Sequence, residues 1–201
     1  MHTDPIKALI GAGQLFHQRG WVPATGGNFS ARLSPLRMLI SASGCHKGEL
    51  RAGDFLVTDI DGRPLKKSAR RTSYETGLHS QLYKHDAAIG AVLHTHSVAN
   101  TVLSRRQDFI HLAGYELLKI LPGVSTHEIT VDVPVFENDQ DIARLAAAVE
   151  RYMREHADTP AYVIAGHGLY AWGADVAQAR WRVEALEFMF ECELRSQGDR
   201  R

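Results

Sequence analysis

Two histidines alternate within an apolar stretch of the chain, residues 89–97 (IGAVLHTHS), as His94 and His96. Alternate residues of a β-strand point to the same side, so both imidazoles are predicted to leave one face of a strand. A third histidine, His167, stands between two glycines in a similar stretch, residues 162–168 (YVIAGHG). Three imidazole ligands leave coordination positions free, as in catalytic rather than structural metal sites. The His-X-His pair alone fits hydrogen-bonded histidines at a strand end equally well, so the metal interpretation depends on the rest of the chain.

Two glycine-containing segments have the composition of anion-binding loops. Residues 25–30 (TGGNFS) place two glycines beside hydroxyl and amide side chains, and residues 41–44 (SASG) repeat this chemistry. Glycines allow backbone conformations in which successive N–H groups converge on an anion. Each segment alone is more typical of a turn, but two of them near a candidate metal strand favour a phosphate site. Its candidate residues are Thr25, Gly26, Gly27, Asn28, Ser30, Ser41, Ser43 and Gly44.

The phosphate compound is expected to be small. Neither loop has the spacing of a Walker phosphate loop or of a dinucleotide-binding fingerprint, which argues against nucleoside triphosphates and nicotinamide cofactors. Asn28 and Ser30 stand two positions apart in a predicted extended segment, so both side chains could reach one phosphate. A phosphorylated metabolite is therefore the expected ligand.

Composition excludes several other partners. The 201-residue chain has 23 Lys and Arg against 23 Asp and Glu, so no charge excess favours nucleic acid or an anionic membrane. No apolar run approaches the roughly 18 residues that a membrane span requires. The first residues lack the basic and apolar regions of a signal peptide. A cytoplasmic location, with no membrane and no nucleic acid as partner, is the expectation.

Helical and alternating patterns interleave along the chain and predict one mixed α/β domain over residues 1–201. Many short β-β connections favour a largely antiparallel central sheet covered by helices. The predicted helices begin at Asp4-Pro5, near Ser73, at Ala99, at Asp141 and near Asp175. The predicted strands are residues 28–33, 38–41, 55–59, the stretch around His94 and His96, residues 129–136, and two within 162–172 that are broken at 166–168.

Taken together, these motifs resemble the class II aldolase/adducin-type family. The resemblance extends from near residue 8 to near residue 190, and it implies a class II aldolase-like fold. No single motif is specific, but their order and joint presence are. The matching segments are 25–30 (TGGNFS), 41–44 (SASG), 73–75 (SYE), 94–97 (HTHS) and 166–169 (GHGL).

Residues 92–99, 115–119 and 167–173 are most similar to a dehydratase branch of this family. The resemblance implies a divalent metal, usually zinc, held by His94, His96 and His167. It also implies dehydration of 5-methylthioribulose 1-phosphate to 2,3-diketo-5-methylthiopentyl 1-phosphate, a step of methionine salvage, by a cytoplasmic homotetramer.

The resemblance implies two candidate acid/base residues. Glu116 corresponds to the general acid/base of the dehydratase branch, and Glu75 to the acidic catalytic residue of the sugar-phosphate aldolases. We hypothesise that Glu116 moves the proton while Glu75 assists near the metal. The alternatives are a first-turn carboxylate that stabilises a helix for Glu75 and an ordinary solvated charge for Glu116.

Two other functions fit the same family. The first is a class II sugar-phosphate aldolase or 4-epimerase, acting for example on fuculose or ribulose phosphate, because such reactions use the same metal and phosphate sites. The second is a non-catalytic adducin-like module that lacks metal. The three histidines and both glutamates argue against the second.

Overall fold

The computed structural model describes residues 4–198, which form five α-helices and eight β-strands. The helices are α1 (Pro5–Gln18), α2 (Thr76–His85), α3 (Val98–Leu103), α4 (Ile142–Glu155) and α5 (Val176–Gly198). The strands are β1 (Asn28–Ser34), β2 (Arg37–Ser41), β3 (Phe55–Asp59), β4 (Ala91–Thr95), β5 (Phe109–Ala113), β6 (Thr130–Phe136), β7 (Ala161–Ile164) and β8 (Gly168–Gly173). Single 3-10 turns lie at Lys47–Glu49, Ala52–Asp54 and Glu116–Ile120.

All eight strands form one sheet in the order β3-β2-β1-β4-β8-β7-β6-β5. Only β6 and β7 pair in parallel, and every other neighbouring pair in the described chain is antiparallel. The expected α/β class with a largely antiparallel sheet is confirmed. The central position of β4 places the His-X-His segment between β1 and β8.

The alternation of residues along β4 assigns each side chain to one of two cores. Ala91 and Leu93 belong to the core beneath α1 and α5, whereas Val92 packs in the core beneath α2 and α4. His94 therefore shares the α2 side with Val92. Thr95 points to the α5 side.

Most predicted elements are present, with shifted ends. Asp4 caps α1 by accepting a hydrogen bond from Ile6 N at 3.0 Å. Helix α2 begins at Thr76 rather than near Ser73, because the preceding residues form a turn in which Thr76 N bonds Ser73 O. Strand β5 was not predicted from the sequence. Within the described residues, no helix is long and apolar enough to cross a membrane.

Candidate metal centre and active site

Four side chains from distant parts of the chain converge at the end of β4. They are Glu75, His94, His96 and His167, and their potential ligand atoms all lie within 4.8 Å of one another. The structure thus brings together all three histidines that the sequence predicted as ligands, and it adds the predicted acid/base residue Glu75.

We call these four side chains the metal cluster. The distances between their potential ligand atoms are short. His94 Nε2 and His96 Nε2 are 2.7 Å apart. Oε1 of Glu75 is 2.8 Å from His167 Nε2 and 3.3 Å from His94 Nε2. In a tetrahedral site with metal–nitrogen bonds near 2.0–2.1 Å, ligand atoms are about 3.3 Å apart. The cluster therefore has the dimensions of a site for one divalent ion.

Strand pairing orients the His94 ring. Its Nδ1 donates to the carbonyl oxygen of Leu169 at 2.9 Å, which leaves the Nε2 lone pair free for the cluster. The Tyr170 ring stacks on it at 4.0 Å between centroids. Both contacts follow from the β4–β8 register, in which His94 faces Tyr170. The imidazole is thus presented in the tautomer that a metal requires.

Gly168 gives the histidines room to approach. A Cβ atom at this position would overlap the carbonyl oxygen of Thr95 and come within 2.7 Å of His94 Cε1. It would also lie 3.1 Å from His96 Cδ2. The glycine that follows His167 is therefore required for the two histidine segments to meet.

Glu75 stands at the N-cap of α2 but makes no capping hydrogen bond. Its Oε2 accepts a hydrogen bond from Asn28 Nδ2 at 2.5 Å, whereas its buried Oε1 has no hydrogen-bond donor among residues 4–198. Burial opposes ionisation of this carboxyl, but the imidazoles of His94 and His167 outweigh it and hold its pKa well below the usual range. An ionised oxygen without a donor, facing three imidazoles, fits a cation.

His96 has the protonation state of a ligand. Burial is the main reason that its pKa falls to about 2. The neighbouring imidazoles of His94 and His167 add to this lowering, and the nearby Glu75 opposes it. A neutral imidazole binds a metal without first losing a proton. The donor set of the metal cluster, three imidazole nitrogens and one carboxylate oxygen, therefore matches a divalent metal.

The two predicted phosphate loops lie together beside the metal cluster. Lys47 is fully buried and donates from Nζ to Thr25 O at 2.9 Å and to Cys45 O at 2.7 Å, which ties the loops to each other. Burial lowers the pKa of Lys47, although Glu75 and Cys45 counteract it. Gly27 has a φ of 76°, and a Cβ there would meet His94 O.

Some predicted phosphate residues are exposed at this surface and others are internal. Thr25, Ser43 and Gly44 are exposed. Ser30 is instead fully buried, and its Oγ lies 2.7 Å from both His79 Nδ1 and Tyr83 OH. The other buried residues are Gly27, which packs near His94, Asn28, which donates to Glu75, and Ser41, whose hydroxyl accepts from Phe29 N. Gly26 is half-buried and packs near His96.

The sequence interpretation missed three polar residues that support these groups. His79 contacts Asn28 Oδ1 through Nε2, and burial lowers the pKa of His79 to about 3. Tyr83 contacts Ser30, and Lys47 joins the loops. Glu75, His79 and Tyr83 are spaced by four residues, so they share one face of α2. That spacing is the signal that could have revealed this face as polar and functional.

Glu116 lies outside the metal cluster. Its side chain is 69% exposed, and it forms ion pairs with Lys119 and with His127, the latter at 3.2 Å. The ion pair with Lys119 is the main reason that the pKa of Glu116 is below its usual value. Within one chain, the structure brings Glu75 but not Glu116 to the histidines.

The chain belongs to the family described as the class II aldolase and adducin N-terminal domain, which matches residues 7–194. It is 53% identical over 194 residues to the methylthioribulose-1-phosphate dehydratase of Pseudomonas fluorescens, covering 96% of this chain and 93% of that relative. Identity to the dehydratase of the same name from Sorangium cellulosum is 51% over 193 residues, covering 94% and 91%. The resemblance to the family and to its dehydratase branch is confirmed.

Solved structures share the fold. The l-fuculose-1-phosphate aldolase from Thermus thermophilus superimposes with a TM-score of 0.78 at 24% identity, covering 96% of this chain and 93% of that one. A sugar-phosphate aldolase from Thermotoga maritima gives a TM-score of 0.74 at 20% identity, covering 98% and 96%. These similarities establish the architecture of the chain and not its substrate.

Proposed function

We propose that this chain is a metal-dependent hydro-lyase that dehydrates 5-methylthioribulose 1-phosphate to 2,3-diketo-5-methylthiopentyl 1-phosphate. The observation that carries the proposal is the convergence of Glu75 and three histidines beside two glycine loops that are joined by a buried lysine. The identity to dehydratases over nearly the whole chain supports the choice of substrate. Methionine salvage in the cytoplasm is the proposed setting.

We propose zinc as the metal, because imidazole nitrogen and carboxylate oxygen are common zinc ligands. His94, His96 and His167 would hold it, with Glu75 as a fourth donor. When bound, a divalent ion supplies a Lewis acid that polarises a carbonyl oxygen of the substrate. Neutral imidazoles preserve the charge that such polarisation requires, whereas thiolate ligands would offset much of it.

The phosphate loops are proposed to orient the substrate. Thr25, Ser43 and Gly44 are exposed beside the metal cluster and can contact a phosphate, with the Lys47 charge behind them. Ser30 and Ser41, which are buried, would support these loops through their hydrogen bonds. Binding energy at the phosphate then aligns C3 and C4 of the ketose with the reacting groups.

Dehydration requires a group that removes the C3 proton and one that protonates the departing C4 hydroxyl. Glu75 is ionised and lies in the metal cluster, so it is placed to assist there. We retain Glu116 as the proposed acid/base. Because its side chain is exposed, we infer that it acts at the metal cluster of a neighbouring subunit.

A homotetramer would provide such neighbours. Apolar side chains are exposed on α5, where Trp181 is 53% and Phe188 is 52% exposed, and on the adjacent α3, where Val98 is 72% exposed. Exposed apolar groups of this size on packed helices are typical of protein–protein contact surfaces. They support an assembly of identical subunits.

The second candidate function is a sugar-phosphate aldolase or 4-epimerase. The presence of Glu75 in the metal cluster favours it, because this position corresponds to the acidic residue of the aldolases. Product analysis separates the candidates. Metal-loaded protein should convert 5-methylthioribulose 1-phosphate to the diketone and leave fuculose and ribulose phosphates unchanged.

Matched controls make this experiment decisive. Chelated protein and the His94→Ala variant should form no diketone, because neither holds the metal. Retro-aldol cleavage of fuculose 1-phosphate, without a diketone product from the first substrate, would establish the aldolase instead. A purified chain with no stoichiometric metal would favour the non-catalytic module.

A further inference from the structure

Helix α5 contributes a carboxylate to the interior behind the metal cluster. Glu187 is only 1% exposed and accepts three hydrogen bonds from side chains. Thr95 Oγ1 donates to its Oε1 at 2.5 Å, and Asn100 Nδ2 donates to the same oxygen at 2.9 Å. Ser97 Oγ donates to its Oε2. Burial of a carboxylate costs free energy unless its oxygens are hydrogen-bonded, and both oxygens of Glu187 accept hydrogen bonds.

One of these donors stands within the His-X-His segment, and a second follows it directly. Thr95 separates His94 from His96, and Ser97 follows directly. The alternation of the strand turns the imidazoles toward α2 while the hydroxyls turn toward α5. Glu187 therefore accepts hydrogen bonds from this short segment on the side opposite the metal cluster.

Helix α3 connects His167 with the same group of hydrogen-bonded side chains. Thr101 Oγ1 donates to the carbonyl oxygen of His167 at 3.3 Å, and Ser104 Oγ accepts from Gly166 N at 3.0 Å. Asn100, which contacts Glu187, stands next to Thr101 on this helix. One hydrogen-bonded network thus contacts both chain segments that carry the histidines.

We propose that Glu187 is a positioning residue that fixes the spacing of His94, His96 and His167 and thereby sets the metal affinity of the cluster. It is not one of the four residues of the metal cluster. Its effect passes through the Thr95 and Ser97 hydroxyls and through Asn100 on α3. The inference rests on the proposed metal site.

The proposal differs from a general role in folding because it predicts a local effect. Removing the carboxylate leaves three buried donors without a partner, so the segment from Thr95 to Asn100 should relax. The ligands would then no longer be held at the separations that the metal requires. Partners of ligand residues typically change metal affinity by about ten- to a hundredfold when they are removed.

The experiment compares Glu187→Leu with Glu187→Gln and with Leu186→Ala. Gln retains an acceptor for Thr95 and Asn100, whereas Leu retains none. Leu186 is fully buried on α5 in the apolar core, so its truncation supplies a matched loss of packing. Zn²⁺ dissociation constants are measured by competition with a chromophoric chelator, and thermal unfolding of the metal-free proteins is recorded in parallel.

We expect the Zn²⁺ dissociation constant to rise about ten- to a hundredfold in Glu187→Leu and less than about threefold in Glu187→Gln. Leu186→Ala should lower the unfolding temperature of the metal-free protein while retaining the wild-type Zn²⁺ affinity. The absorption spectrum of the Co²⁺-loaded protein should change in Glu187→Leu only, because it reports the coordination geometry. If Glu187→Leu does not fold, Thr95→Val removes one of the three donors at nearly constant shape and should weaken Zn²⁺ binding by several fold.

Unchanged Zn²⁺ affinity and Co²⁺ spectrum in Glu187→Leu, or in Thr95→Val where that variant is needed, would overturn the proposal. So would an equal loss of affinity in Leu186→Ala, since that would make the effect one of global stability. A wild-type chain that binds neither ion would contradict the proposed metal site instead, so the two failures are distinguishable.

Discussion

Asn28 donates a hydrogen bond from Nδ2 to Oε2 of Glu75 at 2.5 Å, while the other oxygen of that carboxylate faces the imidazoles of His94 and His167. One side chain thus connects the first glycine loop with the metal cluster. Asn28 pairs with His94 across β1 and β4, so the same register places both contacts. A substitution in the first glycine loop should therefore alter the orientation of Glu75 in the metal cluster.

We expect Asn28→Ala to lower kcat about tenfold or more without loss of bound metal, because the Glu75 carboxylate loses its fixed orientation. Steady-state kinetics and metal analysis of the same preparation measure both quantities. Ser34→Ala, at the far end of β1, is the control. Normal kcat in Asn28→Ala would mean that Glu75 needs no orienting group.

Removal of a histidine ligand should abolish metal and activity together. We expect His94→Ala, His96→Ala and His167→Ala each to lose stoichiometric metal and to reduce turnover by about a thousandfold, equivalent to several kcal/mol of Lewis-acid stabilisation. His156→Ala, at the exposed end of α4, should retain both properties. Full activity after exhaustive chelation of the wild type would contradict the metal-dependent mechanism.

The Glu75→Gln and Glu116→Gln variants should lose activity for different reasons. Glu75→Gln should weaken metal binding, since a charged donor is lost from the metal cluster, and turnover should fall with metal content. Glu116→Gln should keep its metal and its unfolding temperature while turnover falls by about a hundredfold or more, the usual range for loss of a general acid/base. Near-normal turnover of Glu116→Gln would reassign the proton transfer to Glu75.

A mixing experiment tests whether Glu116 serves a neighbouring subunit. Glu116→Gln and His96→Ala are each expected to be inactive alone. Co-refolded mixtures should recover up to about a quarter of wild-type activity, because random assembly pairs an intact metal cluster with an intact Glu116 at that frequency. Absence of recovery in mixed oligomers would place both groups in one subunit's site.

Lys47 should affect substrate binding more than the chemical step. Its buried ammonium lies behind the phosphate loops, so we expect Lys47→Met to raise KM about tenfold or more while kcat changes little. Inorganic phosphate should also inhibit this variant less strongly than the wild type. Lys7→Met, on the exposed side of α1, is the matched control. An unchanged KM in Lys47→Met would show that the charge of Lys47 does not contribute to phosphate binding.

Glu187 should give the metal-free protein a recognisable dependence of stability on pH. Burial raises its pKa to about 7, Glu191 contributes in the same direction, and hydrogen bonds from Ser97, Thr95 and Asn100 only partly oppose the rise. A folded pKa above the ordinary value of 4.5 means that the folded chain holds the proton more tightly than the unfolded chain does. Its stabilising contribution is therefore complete below about pH 4.5 and is lost as the pH rises through about 7.

Denaturant unfolding at pH 5 and pH 8 measures this effect. Between these values the wild type should lose on the order of 1–3 kcal/mol more of its free energy of unfolding than Glu187→Gln, which cannot titrate. Both proteins carry the other titrating groups, so their contributions cancel in the difference. Parallel pH profiles would show that Glu187 has the same pKa in the folded and unfolded chains.

The sequence predicted the features that depend on local pattern. Alternation identified the strand of His94, and helical periodicity identified α4 and α5, because each buries one regular face. Strand β5 (Phe109–Ala113) was missed because it is an edge strand of only five residues, too short for its alternation of buried and exposed positions to stand out. Its identity depends on pairing with β6, which a local pattern does not contain.

The site was predictable where several motifs and the family resemblance indicated the same residues. The three histidines gained a metal interpretation from the other motifs of the chain, whereas Glu187 looks like its neighbours Glu184 and Glu191, one of which is exposed and the other partly so. Only the packing of α5 against β4 and α3 buries it. The internal position of Ser30 likewise results from the contact of β1 with α2, which sequence spacing does not encode.

Gly168 contributes no functional group to the reaction, yet its lack of a side chain lets two chain segments lie against each other. Any carbon branch at this position would push the strand that carries the first two imidazoles away from the loop that carries the third. The capacity of the chain to bind a cation thus depends on empty space as much as on donors. Among variants at codon 168, every missense change is expected to be as harmful as deletion of a ligand.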